Sequence, residues 1–568
     1  MQEFIQKILL WSSIAVLLFG ISRPPEQESV WLMCLWLASV PVAILALQHI
    51  PMPLRVNTTQ RALQSLIIMI AIAFGMLSLQ LLRGQVIWSK YLEQKTAISA
   101  ATGETMSNIR LLNANLTTVR GAMRDRNGTP IVTTVIGENG YTARQYPVDN
   151  PSAFAPVVGM ISHRYGMSGL EASYADYLTG ERNVLGRFLR MFYPLPAQGD
   201  DIELTIDASL QQAVARIMAD HVGAAVVIDP QTGAVLAMVS MPTFNPVDIT
   251  MDVTQERVSD QARIDANWQR LLDPSSQQPL LNRATQGQYP PGSTFKLVTA
   301  AAALENPGIG RPDDITCPET LDTEPGAPPV VNAVPNLVKW TGDPASMRTV
   351  IAFSCNTAFA QYAMRLGQYR LSTTAEKLGF AVPKSVDKAL VMNDLPTAPS
   401  MIFSDAEFLT RLPALADTGY GQGELQVTPL QMAAVTAAIG NNGMLMQPYV
   451  VERVVRRNGM ELYRHEVKPV RRAISTRNSA IIRDAMRLTV TEGFGKAAQS
   501  IEGVPVGGKS GTAEYGGSST HAWFVALAPI ENPRFAVAVI LEGGGEGSGI
   551  GASIAGQVLR AAYDTVQP

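Results

Sequence analysis

The sequence predicts an α+β protein carried on apolar N-terminal helices. Three observations lead there. Three apolar stretches open the chain at about 4–22, 30–49 and 62–82. Strand-forming apolar runs stand towards both ends of the rest, near 224–240 and 509–541. Ala-rich helical stretches, such as Phe295–Leu304 and Gln431–Ile439, lie between them. The sheet must then join strands distant in the chain, rather than strands alternating with helices.

Composition supports the division. Apolar residues make up 46% of the 568 residues and charged residues only 16%, below the usual quarter or so. A net charge of −3 argues against a nucleic-acid partner, because such proteins are basic. Three cysteines, Cys34, Cys317 and Cys355, make no disulfide framework, and no CxxC or HExxH string is present. Neither a metal nor another cofactor is predicted.

A helix crossing the hydrocarbon core needs about 20 residues. The second and third apolar stretches meet this without a charge, while Lys7 interrupts the first. No A-x-A-like cleavage site follows Ile21, and Ser22-Arg23-Pro24-Pro25 reads as a turn, so the first stretch is predicted to span rather than to be cleaved. The 50–61 loop carries Arg55 and Arg61 without an acid, and the 22–29 loop sets one Arg against Glu26 and Glu28. Basic loops stay in the cytoplasm. The prediction is a multi-pass protein of the cytoplasmic membrane, N-terminus inside, with everything after residue 83 on the extracytoplasmic side.

Residues 1–83 therefore form a membrane region. Residues 84–205 read as a mixed, loop-rich module, in which Arg120-Gly-Ala-Met-Arg-Asp-Arg-Asn-Gly128 is a loop and turn before a strand at Thr129–Val135. The pattern changes at 206. In 206–568, Ala224–Asp229 and Ala234–Ser240 flank Pro-Gln-Thr-Gly as a hairpin. Further strands are predicted at Lys509–Tyr515, Ala522–Ala528 and Phe535–Leu541, with a closing helix over about Gly551–Tyr563.

The sharpest chemical signal is Pro290-Pro-Gly-Ser-Thr-Phe-Lys296. A turn precedes a good helix, which puts Ser293 at the helix start and Lys296 one turn on, on the same face. A serine hydroxyl needs a base to become a nucleophile, and a buried lysine can be one because desolvation favours its neutral form. Alone, S-x-x-K is a common string, and a helix-capping serine is the bland reading. Ser385-Val-Asp-Lys388 is a second copy in a polar, loop-like stretch. Context separates them. Ser354-Cys-Asn356 follows Ser293, and Lys509-Ser510-Gly511-Thr512 follows at a strand start. The ordered trio is that of serine β-lactamases and penicillin-binding proteins.

The chain resembles class B penicillin-binding proteins, the monofunctional transpeptidases, over nearly all of 83–568. The strings carrying the resemblance include Arg120–Gly128, Gly166-Met-Ser-Gly-Leu-Glu171, Val227–Ser240, Gly421-Gln-Gly-Glu-Leu-Gln-Val-Thr-Pro-Leu-Gln431 and His521–Pro529. The resemblance implies a pedestal at 84–205 and, over 206–568, a serine β-lactamase-like transpeptidase domain with a mainly antiparallel sheet flanked by helices. It implies stem peptides of peptidoglycan ending in D-Ala-D-Ala as substrates and acylation by β-lactams. By position, Ser293 would be acylated with Lys296 as its base. Ser354 would relay protons and Asn356 hold the substrate backbone. Lys509 would support the relay and carboxylate, with Ser510, Gly511 and Thr512 binding substrate. It also implies a partner glycosyltransferase of the multi-span SEDS type, since the chain has no polymerase domain. Most of the family has one span where this chain has three.

Other readings compete. Gly503-Val-Pro-Val-Gly-Gly-Lys-Ser510 matches a P-loop string, but the residues after it cannot make the required helix. A β-lactam sensor joins membrane helices to an acylatable domain, but has an apolar residue where Asn356 stands. His521 reads as satisfying a strand and Trp523-Phe-Val as sheet core. Cys355 is expected to be a small buried thiol, with a bridge to Cys317 as the alternative, and to point away from the cleft if the segment is extended.

Overall fold

The computed structural model describes residues 2–23, 27–48, 58–84, 97–98, 105–106, 116–182, 198–255, 257–383, 385–405, 407–514 and 519–566. The chain forms two compact units, Met1–Asn115 and Leu116–Pro568.

In the first unit, α1 (Gln2–Ile21), α2 (Glu28–Gln48) and α3 (Thr58–Leu82) are each long and apolar enough to cross a membrane. Large apolar side chains such as Trp11, Trp36 and Phe74 stay exposed along them, as lipid-facing residues do. Arg55 lies outside the described residues, and Arg61 falls in the first turn of α3.

The second unit opens with β1 (Met123–Arg124), β2 (Pro130–Ile136), β3 (Thr142–Gln145) and β4 (Asp201–Leu204). Its core elements follow: α4 (Ala208–Ile217), β5 (Gly223–Ile228), β6 (Val235–Met241), α5 (Lys296–Glu305), α6 (Asn356–Lys377) and α7 (Pro429–Gly440). The chain continues through β7 (Val451–Val455), β8 (Glu461–Arg464), α8 (Thr476–Thr491), β9 (Gly507–Glu514), β10 (Thr520–Ala528), β11 (Phe535–Leu541) and α9 (Ala552–Thr565).

The larger core is built on a five-stranded sheet, order β6-β5-β11-β10-β9, antiparallel throughout. β5 and β11 are buried along their whole length. They read as unbroken apolar runs because helices cover both sides of the sheet interior, so alternation has no use there. α7 packs on β11, β5 and β10, and α9 on β10 and β11. A second sheet has the order β8-β7-β4-β1-β2-β3 and takes its six strands from both sides of position 205. Its only parallel pair is β1 with β4.

The two predicted strings Arg120–Gly128 and Gly166–Glu171 meet beside this sheet. Arg120 Nε donates to Glu171 Oε2 at 2.9 Å and Arg144 Nε to Glu171 Oε1 at 2.6 Å. Glu171 is fully buried; burial alone would raise its carboxyl, but Arg144 and Arg120 hold it below the ordinary carboxylate value. Asp125 closes the turn by accepting from the N–H groups of Asn127 and Thr129, and its other oxygen accepts from Ala208 N at the start of α4.

Candidate active site

Pro290 enters the site beneath Trp523, whose indole Nε1 donates to Pro290 O at 2.9 Å. Trp523 is thus both fully buried sheet core, as predicted, and a fixing point for the turn. Gly292 has φ +53°, and a Cβ there would stand 2.5 Å from Thr512 O. Glycine lets the turn lie directly against β9. Residues Gly292–Phe295 wind as a 3₁₀ turn and α5 starts at Lys296. Ser293 therefore precedes the α-helix by one tight turn instead of opening it. The three-residue spacing still puts Ser293 and Lys296 on one side, since residues i and i+3 eclipse in a 3₁₀ turn.

Lys296 is fully buried. Its Nζ donates to Ser354 Oγ at 3.0 Å, Ser354 O at 2.7 Å and Asn356 Oδ1 at 2.6 Å. Lys509, also fully buried, donates to the same Ser354 Oγ at 3.0 Å and to Ser510 O at 2.8 Å. Three strings separated in the chain thus converge on one hydroxyl. Burial, and then the neighbouring Lys509, push Lys296 well below the ordinary lysine value. Burial pushes Lys509 down to about 7. A neutral Lys296 keeps two of these three donations and has a lone pair to accept a proton, and a Lys509 balanced near neutrality is available as a cation. Ser293 is half-buried at the turn, and its hydroxyl makes no hydrogen bond among the described residues. Such bonds often close only when substrate is bound.

β9 runs antiparallel to β10, with Lys509 opposite Val525, Ser510 opposite Phe524, Gly511 opposite Trp523 and Thr512 opposite Ala522. Ser510 is buried and Thr512 exposed. A Cβ on Gly511 would lie 2.9 Å from Pro291 O, so the backbone of β9 abuts the Ser293 turn. Because residues 507–514 are a strand at the sheet edge, the P-loop reading of Gly503–Ser510 fails: its phosphate loop must open a helix. Ser385 donates to Glu376 Oε1 at 2.5 Å and Lys388 is exposed, so the second S-x-x-K takes no part in the cluster. His521 accepts from Gly543 N through Nδ1 at 3.2 Å, and burial lowers its pKa, in keeping with the strand-satisfying reading.

Cys355 corrects the expectation of a free thiol. It forms a disulfide with Cys317, the Cα atoms standing 6.2 Å apart, within the range a bridge requires. The Cys317–Pro318 segment folds back along the start of α6, where Thr357 Oγ1 donates to Pro318 O at 2.8 Å. The Cys355 sulfur is bound to Cys317 and accepts from Ala358 N, and the segment is not the extended one that the expected alternation required. Ser354 has φ +54°, rare for a residue with a side chain, and Asn356 already begins α6. Strained backbone of this kind gathers at functional sites.

Asn332 was not singled out by the sequence. Its Oδ1 accepts from Asn356 N at 2.8 Å and Thr357 N at 3.2 Å, and its Nδ2 donates to Pro318 O at 2.8 Å. Next to it, Val331 O accepts from Asn356 Nδ2 at 2.8 Å. A lone Asn in a loop-like stretch carries no signal until the fold brings it to the end of a helix.

Comparison with known proteins identifies the family to which the fold belongs. The penicillin-binding protein transpeptidase domain matches residues 223–563, and the penicillin-binding protein A dimerisation domain matches 120–202. The chain is 33% identical over 437 residues to the peptidoglycan D,D-transpeptidase PbpA of Mycolicibacterium smegmatis, covering 74% of this chain and 83% of that protein. It is 31% identical to the peptidoglycan D,D-transpeptidase MrdA of Haemophilus influenzae, covering 69% of this chain and 62% of that one. Among solved structures, the imipenem acyl-enzyme complex of penicillin-binding protein A from M. tuberculosis superposes with a TM-score of 0.69 at 31% identity, covering 80% of this chain and all of that one. The chain belongs to the class B penicillin-binding proteins, enzymes whose transpeptidase domain is a serine acyltransferase fold.

Proposed function

We propose that this protein cross-links peptidoglycan stem peptides ending in D-Ala-D-Ala through an acyl-enzyme on Ser293. The observation that carries the proposal is the convergence of buried Lys296 and Lys509 on Ser354 Oγ beside the Ser293 turn. In the first half-reaction Ser293 Oγ attacks the carbonyl carbon of the penultimate D-Ala while neutral Lys296 takes the hydroxyl proton. The C–N bond to the terminal D-Ala then breaks, and the proton passes through Ser354 to the departing amine. In the second, an acceptor amine attacks the ester, its proton returns by the same route, and Ser293 is released. Asn356 holds the donor backbone. Lys509, Ser510, Gly511 and Thr512 receive the terminal carboxylate, and the N–H groups of Ser293 and Thr512 receive the oxyanion.

On the same reading, residues 84–205 are a pedestal and 206–568 the transpeptidase domain. The three helices make a multi-pass anchor with the catalytic part extracytoplasmic, and a SEDS-type glycosyltransferase supplies the glycan strand. A β-lactam acylates Ser293 because its strained amide mimics D-Ala-D-Ala; the M. tuberculosis neighbour was solved as such a complex. The test is labelling with a fluorescent penicillin, followed by peptide mapping. One label on the Ser293 peptide is expected, absent in Ser293→Ala and unaffected in Ser385→Ala. Label on a peptide containing Ser385 would refute the assignment.

A further inference from the structure

We infer that Asn332 is a positioning residue for acylation, setting the place of Ser354 and Asn356 from outside the three catalytic strings. The inference rests on the proposed role of Ser293 and goes one step beyond it.

The start of α6 has an unusual problem. Its first two N–H groups belong to Asn356 and Thr357, and helix-start N–H groups have no partner within the helix. The local cap, Cys355, has its sulfur in the disulfide and accepts from Ala358 N at 3.4 Å, one residue further on, which leaves the N–H groups of Asn356 and Thr357 to another partner. Asn332 meets the need from another part of the chain, accepting both N–H groups on one oxygen. Its amide nitrogen is anchored in turn on Pro318 O, beside Cys317, with Thr357 Oγ1 at 3.4 Å.

The consequence reaches the lysines. Val331 O fixes Asn356 Nδ2, which turns Asn356 Oδ1 towards Lys296 Nζ. Residues 331 and 332 thus hold Asn356 by side chain and backbone together. Ser354, two residues earlier and in a strained left-handed conformation, shares the same Nζ. If Asn332 loses its amide, two N–H groups are freed and the strained turn has less to hold it. Lys296 then loses the geometry of its partners and some of its shielding from water, and less shielding moves its proton equilibrium back towards the ordinary lysine value.

The test uses the full-length protein in detergent, labelled with fluorescent penicillin over a range of pH. Asn332→Ala should still label Ser293 to completion, but about 10-fold or more slowly, the scale on which misplaced catalytic groups act. Its rate profile should also rise at higher pH than that of the unaltered protein. Asn332→Asp keeps the acceptor oxygen for the two N–H groups but loses the Nδ2 bond to Pro318 O, and should recover part of the rate. An unchanged rate and pH profile in Asn332→Ala would overturn the inference. So would a loss that follows only the folded fraction and is equal in Asn332→Asp, because that is a purely structural role. Failure of the reading beneath it looks different: the unaltered protein would then not label on Ser293 at all.

Discussion

Lys509 is the residue whose ionisation is most open to experiment. Burial brings it to about 7, so it loses its charge as the pH rises through neutrality. If its cation receives the substrate carboxylate, binding weakens over the same window. The second-order rate constant for acylation reports groups of the free enzyme. That constant should fall above about pH 7 with the slope of one proton, and Lys509→Arg, which stays charged, should lose the fall. A constant flat from about pH 6 to 9 in the unaltered protein would remove Lys509 from carboxylate binding. Stability has the opposite sign. An unfolded lysine holds its proton to about 10.4. Between about 7 and that value the unfolded chain binds the extra proton, so the cost of burying Lys509 falls and the fold gains stability as pH rises.

At the scale of elements, the Arg120–Glu171–Arg144 cluster joins the loop before β1, the strand β3 and the segment carrying Glu171. Removing one partner of a buried ion cluster leaves the others uncompensated, at a cost of about 3–5 kcal/mol. Glu171→Ala should lower the free energy of unfolding by about that amount, read by thermal or denaturant unfolding, while the folded fraction still takes up penicillin. A change under about 1 kcal/mol would show that the cluster adds little. Because Glu171 is held below the ordinary carboxylate value, its contribution is complete above about pH 4.3 and fades as acid protonates it. The elements themselves were largely visible in the sequence. The hairpin of β5 and β6 and the strands β10 and β11 were predicted because buried strands keep long apolar runs, and β9 from the Lys509-Ser-Gly-Thr512 string at its start. Two local details were not. The turn before α5 lies against β9, where a Cβ on Gly292 would stand 2.5 Å from Thr512 O, and the left-handed Ser354 is held by Lys296 and Lys509 from distant segments. Both are tertiary contacts, and propensity cannot express them.

For the whole molecule, the testable expectation is its orientation. Arg55 and Arg61, with no acid between α2 and α3, favour a cytoplasmic position for that connection. A reporter active only outside the cytoplasm should work when fused after residue 90 and fail within 51–60. The reverse result would contradict both the orientation and the proposed extracytoplasmic substrate.

The sequence by itself determined that three apolar helices precede an α+β catalytic part, and it picked out Ser293, Lys296, Ser354, Asn356 and Lys509. Those signals are local: length and hydropathy for the helices, short strings with a chemical logic for the site. Tertiary structure alone decided that Cys317 pairs with Cys355, that Arg120 and Arg144 share Glu171, and that Asn332 caps α6. Each of these joins residues from separate segments, and spacing along a chain carries no measure of distance in space. The lysines show both sides. Their type and order were legible in the sequence, but their lowered proton equilibria, which the proposed catalysis uses, come from complete burial, which only the folded chain can impose.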